Sequence, residues 1–106
     1  MAEIQVGEGH NGGSISARAG DTLVIRLPEN PTTGFRWGAA GMDSALLRLQ
    51  SDDFAPGAGG VGGAGMRIFR YLATGSGETS IGFQLARSWE AAAPRSQFTI
   101  RVSIAP

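Results

Sequence analysis

A chain of 106 residues is long enough to fold on one core without staples and too short for two, so residues 1–106 read as a single domain. Nine basic and nine acidic residues cancel, and no long run of one sign occurs, which argues against nucleic acid and anionic membrane as main partners. The absence of cysteine excludes disulfides, thiolate nucleophiles and cysteine metal sites, and a lone histidine, His10, cannot build a multi-histidine centre.

The chain alternates apolar and polar residues with period two between glycine-rich turns, the pattern of a small antiparallel β protein. Met1–Val6 has no apolar signal-type core, and no run approaches a membrane span. The reading is of a soluble protein, cytoplasmic as written, or periplasmic or secreted if an export signal has been removed. Ile4 and Val6 suggest a first strand, and Ile15-Ser16-Ala17 continues it or pairs with it after the turn Gly7–Gly13, where His10 reads as a solvated loop side chain. Leu23, Ile25 and Leu27 share one face of the next strand, which Pro28 and Pro31 are expected to stop. Phe35-Arg36-Trp37 opens another, ended by Gly38–Gly41, and Leu46–Leu49 reads as a short strand closed by Asp52-Asp53-Phe54.

From Gly57 to Gly65 six of nine residues are glycine, a composition that neither helix nor packed strand would choose. Met66–Ala73 is strand-like, with Phe69, Tyr71 and Ala73 on one face; Ile81, Phe83 and Leu85 alternate in the next strand. Arg87–Pro94 breaks the pattern before Phe98, Ile100, Val102 and Ile104 restore it. About seven to eight short strands with regularly spaced turns predict an all-β, immunoglobulin-like antiparallel sandwich without a disulfide. In an up-and-down sandwich alternate connections share an end. The loops after Leu27, after Phe54 and after Leu85, or B–C, D–E and F–G in immunoglobulin lettering, should therefore form one surface, with His10 assigned to the opposite end.

The first of these loops, Asn30-Pro31-Thr32-Thr33-Gly34, is the most specific stretch of the chain. Asn30 before a proline is pushed toward extended space, Pro31 has a fixed φ, the threonines have few rotamers, and Gly34 can take the positive φ that turns the chain into Phe35. Its first half is expected to be a stiff wedge without regular structure. It carries no acid, base or thiol, so it suits binding better than chemistry. Trp37, on a strand where sandwiches bury a large aromatic, reads as core; Trp89, beside Arg87 and Glu90 in a loop, reads as an exposed interface residue.

Asn30–Gly34 followed by Phe35-Arg36-Trp37 resembles the signature loop of chagasin-type inhibitors of papain-like cysteine peptidases. The resemblance extends to a glycine box, placed at Gly62-Gly63-Ala64-Gly65 with Gly57-Ala58-Gly59-Gly60 as the alternative, and to Arg87-Ser88-Trp89, where Ser88 replaces the family's proline and leaves the loop less preorganised. It implies reversible inhibition without cofactor or metal by a protein that is monomeric when free. Thr32 and Thr33 would block the catalytic cysteine and histidine, with Pro31 and Gly34 holding the wedge in shape. The glycine box would run along the non-prime side, while Trp89 stacks on an aromatic of the peptidase and Arg87 makes a polar contact. The glycine run also fits Gly-x-Gly-x-x-Gly, but it opens a strand-like segment rather than a helix, which excludes a dinucleotide site. The alternative function is a non-inhibitory adhesion or interaction module using the same loops. A hydrolase is poorly supported, since there is no cysteine and the lone histidine is assigned to the end opposite the wedge.

Overall fold

The computed structural model describes residues 2–41, 45–56, 65–87 and 94–106. These form eight strands: β1 Glu3–Val6, β2 Ser14–Arg18, β3 Thr22–Glu29, β4 Arg36–Gly41, β5 Leu47–Pro56, β6 Gly65–Ala73, β7 Gly77–Ala86 and β8 Ser96–Ala105. One sheet has the order β1-β3-β6-β5 and the other β2-β8-β7-β4. The pairings β3–β6, β5–β6, β4–β7 and β7–β8 are antiparallel, while β1 runs parallel to β3 and β2 parallel to β8. No helix among the described residues is long and apolar enough to cross a membrane.

Period-two burial builds the core. In β8 each of Phe98, Ile100, Val102 and Ile104 is buried and every residue between them is exposed. Ile81 and Phe83 of β7 lie beside them in the same sheet, and Leu23, Ile25 and Leu27 of β3 and Phe69, Tyr71 and Ala73 of β6 face them from the other. Fully burying each large side chain contributes roughly 1.5–3 kcal/mol, so this aromatic and aliphatic interior carries the fold without disulfides. Its centre is a stack of Phe69 on Phe83, ring centroids 4.6 Å apart, which joins the two sheets.

The all-β sandwich is as the alternation predicts, and several of its details differ from the expectation. The first strand changes sheets: β1 lies on β3 and β2 on β8, so Ile15 does not pair with the Ile4 strand. Pro28 does not stop β3, which runs on to Glu29 with Pro28 opposite Met66. The reason is that β1 reaches only to the level of Ile25, leaving that flank of β3 an edge where a residue without N–H is tolerated. β4 likewise continues through Gly41, with a register slip at Ala39/Gly41. β5 extends to Pro56 because a bulge at Leu49/Ser51 lets Asp52, Asp53 and Phe54 stay paired with β6.

Strand direction reverses at every step, so the connections after β1, β3, β5 and β7 share one end. His10 therefore lies at the wedge end and not opposite it. It belongs to a 3-10 turn, Glu8–His10, lined up beside Arg26, Pro28 and Met66. That turn is set back: Val6 is level with Ile25, four residues before Glu29, on the order of 13 Å at the usual strand rise.

Candidate functional site

The wedge is a regular turn after all. Pro31–Thr33 form a single 3-10 turn, for which Pro31 has a suitable fixed φ and Asn30 supplies the cap. Asn30 Oδ1 accepts from the Thr32 amide at 3.1 Å and the Thr32 hydroxyl at 2.6 Å, and its carbonyl accepts from the Thr33 hydroxyl at 2.8 Å. The Phe35 amide then donates to Thr33 Oγ1 at 3.3 Å, and Gly34 turns the chain with φ 80°. Thr32 is exposed and Thr33 half-buried. Both hydroxyls already have partners inside the loop, so the turn's polar groups are engaged in holding its own shape.

Register brings the other motifs to the same place. Glu29, the residue before the wedge, is opposite Gly65, and Gly65 is opposite Pro56, so the glycine-rich connection springs from beside the wedge. Arg36 and Ala86 pair on the other sheet, and Leu85 pairs with Ser96, which puts both stems of the last connection there too. Arg87 closes the gap between them. Its Nε donates to the Thr33 carbonyl at 2.9 Å and its guanidinium lies 4.3 Å from the Phe35 ring centroid, while Arg95 approaches the same ring at 5.0 Å. Of the residues singled out by sequence, Asn30, Pro31, Thr32, Thr33, Gly34, Gly65 and Arg87 are thus gathered at one end. Gly62, Gly63, Ala64 and Trp89, like the alternative box Gly57–Gly60, lie outside the described residues.

Gly65 is glycine for a local reason: a Cβ there would sit 2.3 Å from the Ala55 carbonyl oxygen and 2.6 Å from Phe54 Cζ. Trp37 is not enclosed between the sheets as expected. It is half-buried at the rim, because β4 is an edge strand, and its indole N–H donates to the Pro28 carbonyl at 2.8 Å.

Sequence reading missed what lies beneath the wedge. The Glu29 side chain is fully buried, its Oε1 bonded to Arg67 Nη2 at 2.7 Å and Nε at 3.1 Å, and its Oε2 accepting the Trp37 amide at 2.7 Å. Arg67 reaches on to Asp52 at 3.1 Å and sits 5.7 Å from the Phe54 ring centroid. The hydrogen bonds that Arg67 donates to Glu29 raise the Arg67 pKa above its ordinary value. The signal was available: Glu29 continues the inward series 23, 25, 27, and Arg67 precedes the inward series 69, 71, 73, so alternation alone puts two opposite charges on the buried face.

For chemistry the described residues offer little. No three metal-ligating side chains cluster among them, and a hollow of about 640 Å³ on the outer face of β2, β8 and β7 is lined by Ser14, Ser16, Ser80, Ser103, Glu78 and Arg101, with no histidine among them. Residues 16–104 match the family described as chagasin family peptidase inhibitor I42. The chain belongs to the chagasin family. Chagasin of Trypanosoma cruzi is 27% identical over 90 residues, covering 80% of this chain and 82% of its own. Amoebiasin-1 of Entamoeba histolytica is 30% identical over 99 residues, covering 92% and 95%. A crystal structure of a cysteine protease inhibitor from Entamoeba histolytica superposes with TM-score 0.87 at 22% identity, covering 97% and 95% of the two chains, which shows the shared fold. A more distant chagasin-fold structure, 15% identical with TM-score 0.67 and covering 96% and 88%, is of an inhibitor in complex with falcipain-2. Members of this family are peptidase inhibitors and not enzymes.

Proposed function

We propose that this protein inhibits papain-like cysteine peptidases reversibly, by inserting the Asn30–Gly34 wedge into the catalytic cleft with the glycine-rich connection on one side and the Arg87–Pro94 connection on the other. The observation that carries the reading is the junction of Thr33, Phe35 and Arg87, which ties the wedge to the residue that opens the last motif-bearing connection. A surface already stiff in the free state loses little entropy on docking, the condition for tight binding without a covalent bond. Thr32 and Thr33 block the catalytic groups by fit. Gly62, Gly63, Ala64 and Gly65 permit close backbone approach, and Trp89 supplies an aromatic contact. Arg87 acts first as a brace for the wedge, since its guanidinium is already engaged there. The three connections together would bury about 1,600 Å² in all, the usual size for an inhibitor complex.

Titration of papain or a cathepsin with the protein tests this. Stoichiometric, reversible loss of activity with the inhibitor's mass unchanged is expected, whereas full activity at micromolar inhibitor across several such enzymes sinks the reading and leaves an interaction module. Thr33→Ser should weaken binding modestly. Thr33→Asp, a charge forced against the enzyme, should cost roughly 2–5 kcal/mol of affinity, and equal affinities for the two variants would mean the wedge stays outside the cleft.

A further inference from the structure

The Glu29 network touches every element at the root of the wedge and of the glycine-rich connection. Glu29 immediately precedes Asn30, Trp37 is the second residue of the strand that leaves the wedge, Arg67 stands two residues past Gly65, and Asp52 lies on the strand entering that connection. We propose that the buried Glu29–Arg67 pair is a positioning device for the inhibitory surface, fixing the wedge against the root of the glycine-rich connection through the Trp37 amide. The proposal rests on the inhibitory reading above.

Stability alone does not explain the pair. Both side chains take inward positions beside Leu27 and Phe69, where apolar residues of similar volume would pack at least as well, because a buried ion pair repays little beyond its own desolvation. An apolar side chain at position 29 could fill the space but could not accept the Trp37 N–H, which points away from β7. The carboxylate holds three donors in fixed directions at once, from β4 on one sheet and β6 on the other. Those bonds therefore specify an angle, and the angle set is that between the two connections.

Preorganisation has a kinetic signature. If loosening the network leaves the wedge in its binding geometry only part of the time, apparent affinity falls by that fraction and the loss falls on association, since the docked complex is unchanged. A contact residue behaves the other way, its loss speeding dissociation.

The experiment uses Glu29→Gln and the apolar double variant Glu29→Leu/Arg67→Met, with thermal melting, hydrogen exchange of the Thr32, Thr33, Phe35 and Trp37 amides in the free protein, and association and dissociation rates with papain. The expected result is faster exchange at all four amides and association slower by about tenfold, with dissociation changed by less than about threefold. If Glu29→Gln does not fold at the assay temperature, the double variant decides, because it strands no buried charge. Wild-type association with wild-type wedge exchange in a folded variant overturns the proposal, as does a loss confined to dissociation. Should the parent protein fail to inhibit papain, the inhibitory reading falls, and the exchange data still decide whether the pair holds the wedge.

Discussion

The turns at Glu8–His10 and Pro31–Thr33 are both single 3-10 turns that carry the chain between sheets at the same end of the sandwich, and they are built from opposite materials. The first contains Gly9 and is flanked by Gly7, Gly12 and Gly13, has no buried residue, is capped by His10 Nδ1 on the Gly7 amide, and is tied to β8 by the Asn11 side chain, which bonds Gln97 and Thr99, and by backbone bonds between Gly12 and Thr99 and between Arg101 and Gly13. The second has a proline, an asparagine cap, two internally bonded hydroxyls and a buried ion pair below it. What separates a connecting turn from a projecting wedge here is the support beneath it and its reach, since both are 3-10 turns at one end of the sandwich but the first is set back by four residues of β3.

Arg67→Ala should widen that difference most. It leaves the Glu29 carboxylate buried with one donor, a loss of about 3–5 kcal/mol in thermal or denaturant unfolding, while His10→Ala in the exposed turn should stay within about 0.5 kcal/mol of the parent. Comparable melting shifts for the two would show that the ion pair supports nothing. Trp37→Ala removes a half-buried ring and the bond to the Pro28 carbonyl; about 2–3 kcal/mol is expected, below the range for a fully enclosed tryptophan, and a larger loss would return Trp37 to the core. Asn30→Ala strips the cap from the wedge turn at about 1 kcal/mol, read as a small drop in melting temperature with weaker inhibition, whereas an unchanged inhibition constant would make the cap irrelevant to the docked shape.

The smallest effect is expected at the far end. Asp21 accepts the amides of Ala2 and Arg18, and these bonds hold its carboxyl below the ordinary value of 3.8. A depressed folded-state pKa contributes stability that is present above the unfolded value and lost as pH falls through the folded one. Asp21→Asn should therefore melt lower than the parent at neutral pH, and the gap should close as the pH falls below the carboxyl's ordinary value and through its lowered one. Inhibition should not change, because the site is at the other end of the sandwich. A gap that persists undiminished in acid would assign the stabilisation to something other than the carboxylate.

Much of this was legible in the sequence, and the parts that were not share a cause. β7 and β8 are plain alternation, and a buried face of Ile81, Phe83, Phe98, Ile100, Val102 and Ile104 can be read from spacing alone. Alternation marks a buried face only while its residues are apolar, and here the apolar series ends two positions before Glu29 and begins two after Arg67. Pro28 hides the continuation further: whether a proline ends a strand depends on whether a neighbour needs its N–H, and β1 runs out before it gets there. His10 was misplaced although the up-and-down rule that grouped the other connections also covers the first one. The wedge itself was clear as a stiff loop, yet its 3-10 form depends on a side chain, Asn30, bonding the backbone two residues on, which composition does not announce.

Gly65 sets a practical limit on remodelling this surface. With the Ala55 carbonyl 2.3 Å from where a Cβ would lie, a library that randomises the glycine-rich connection through to Met66 would in most members push a side chain against the β5 backbone and force β5 and β6 to shift at that point. Diversity introduced from Gly57 to Ala64, with Gly65 left invariant, avoids that clash and leaves Arg67 in register. Retargeting the inhibitor to a different peptidase is therefore a matter of changing the span of the arch while leaving its springing point alone.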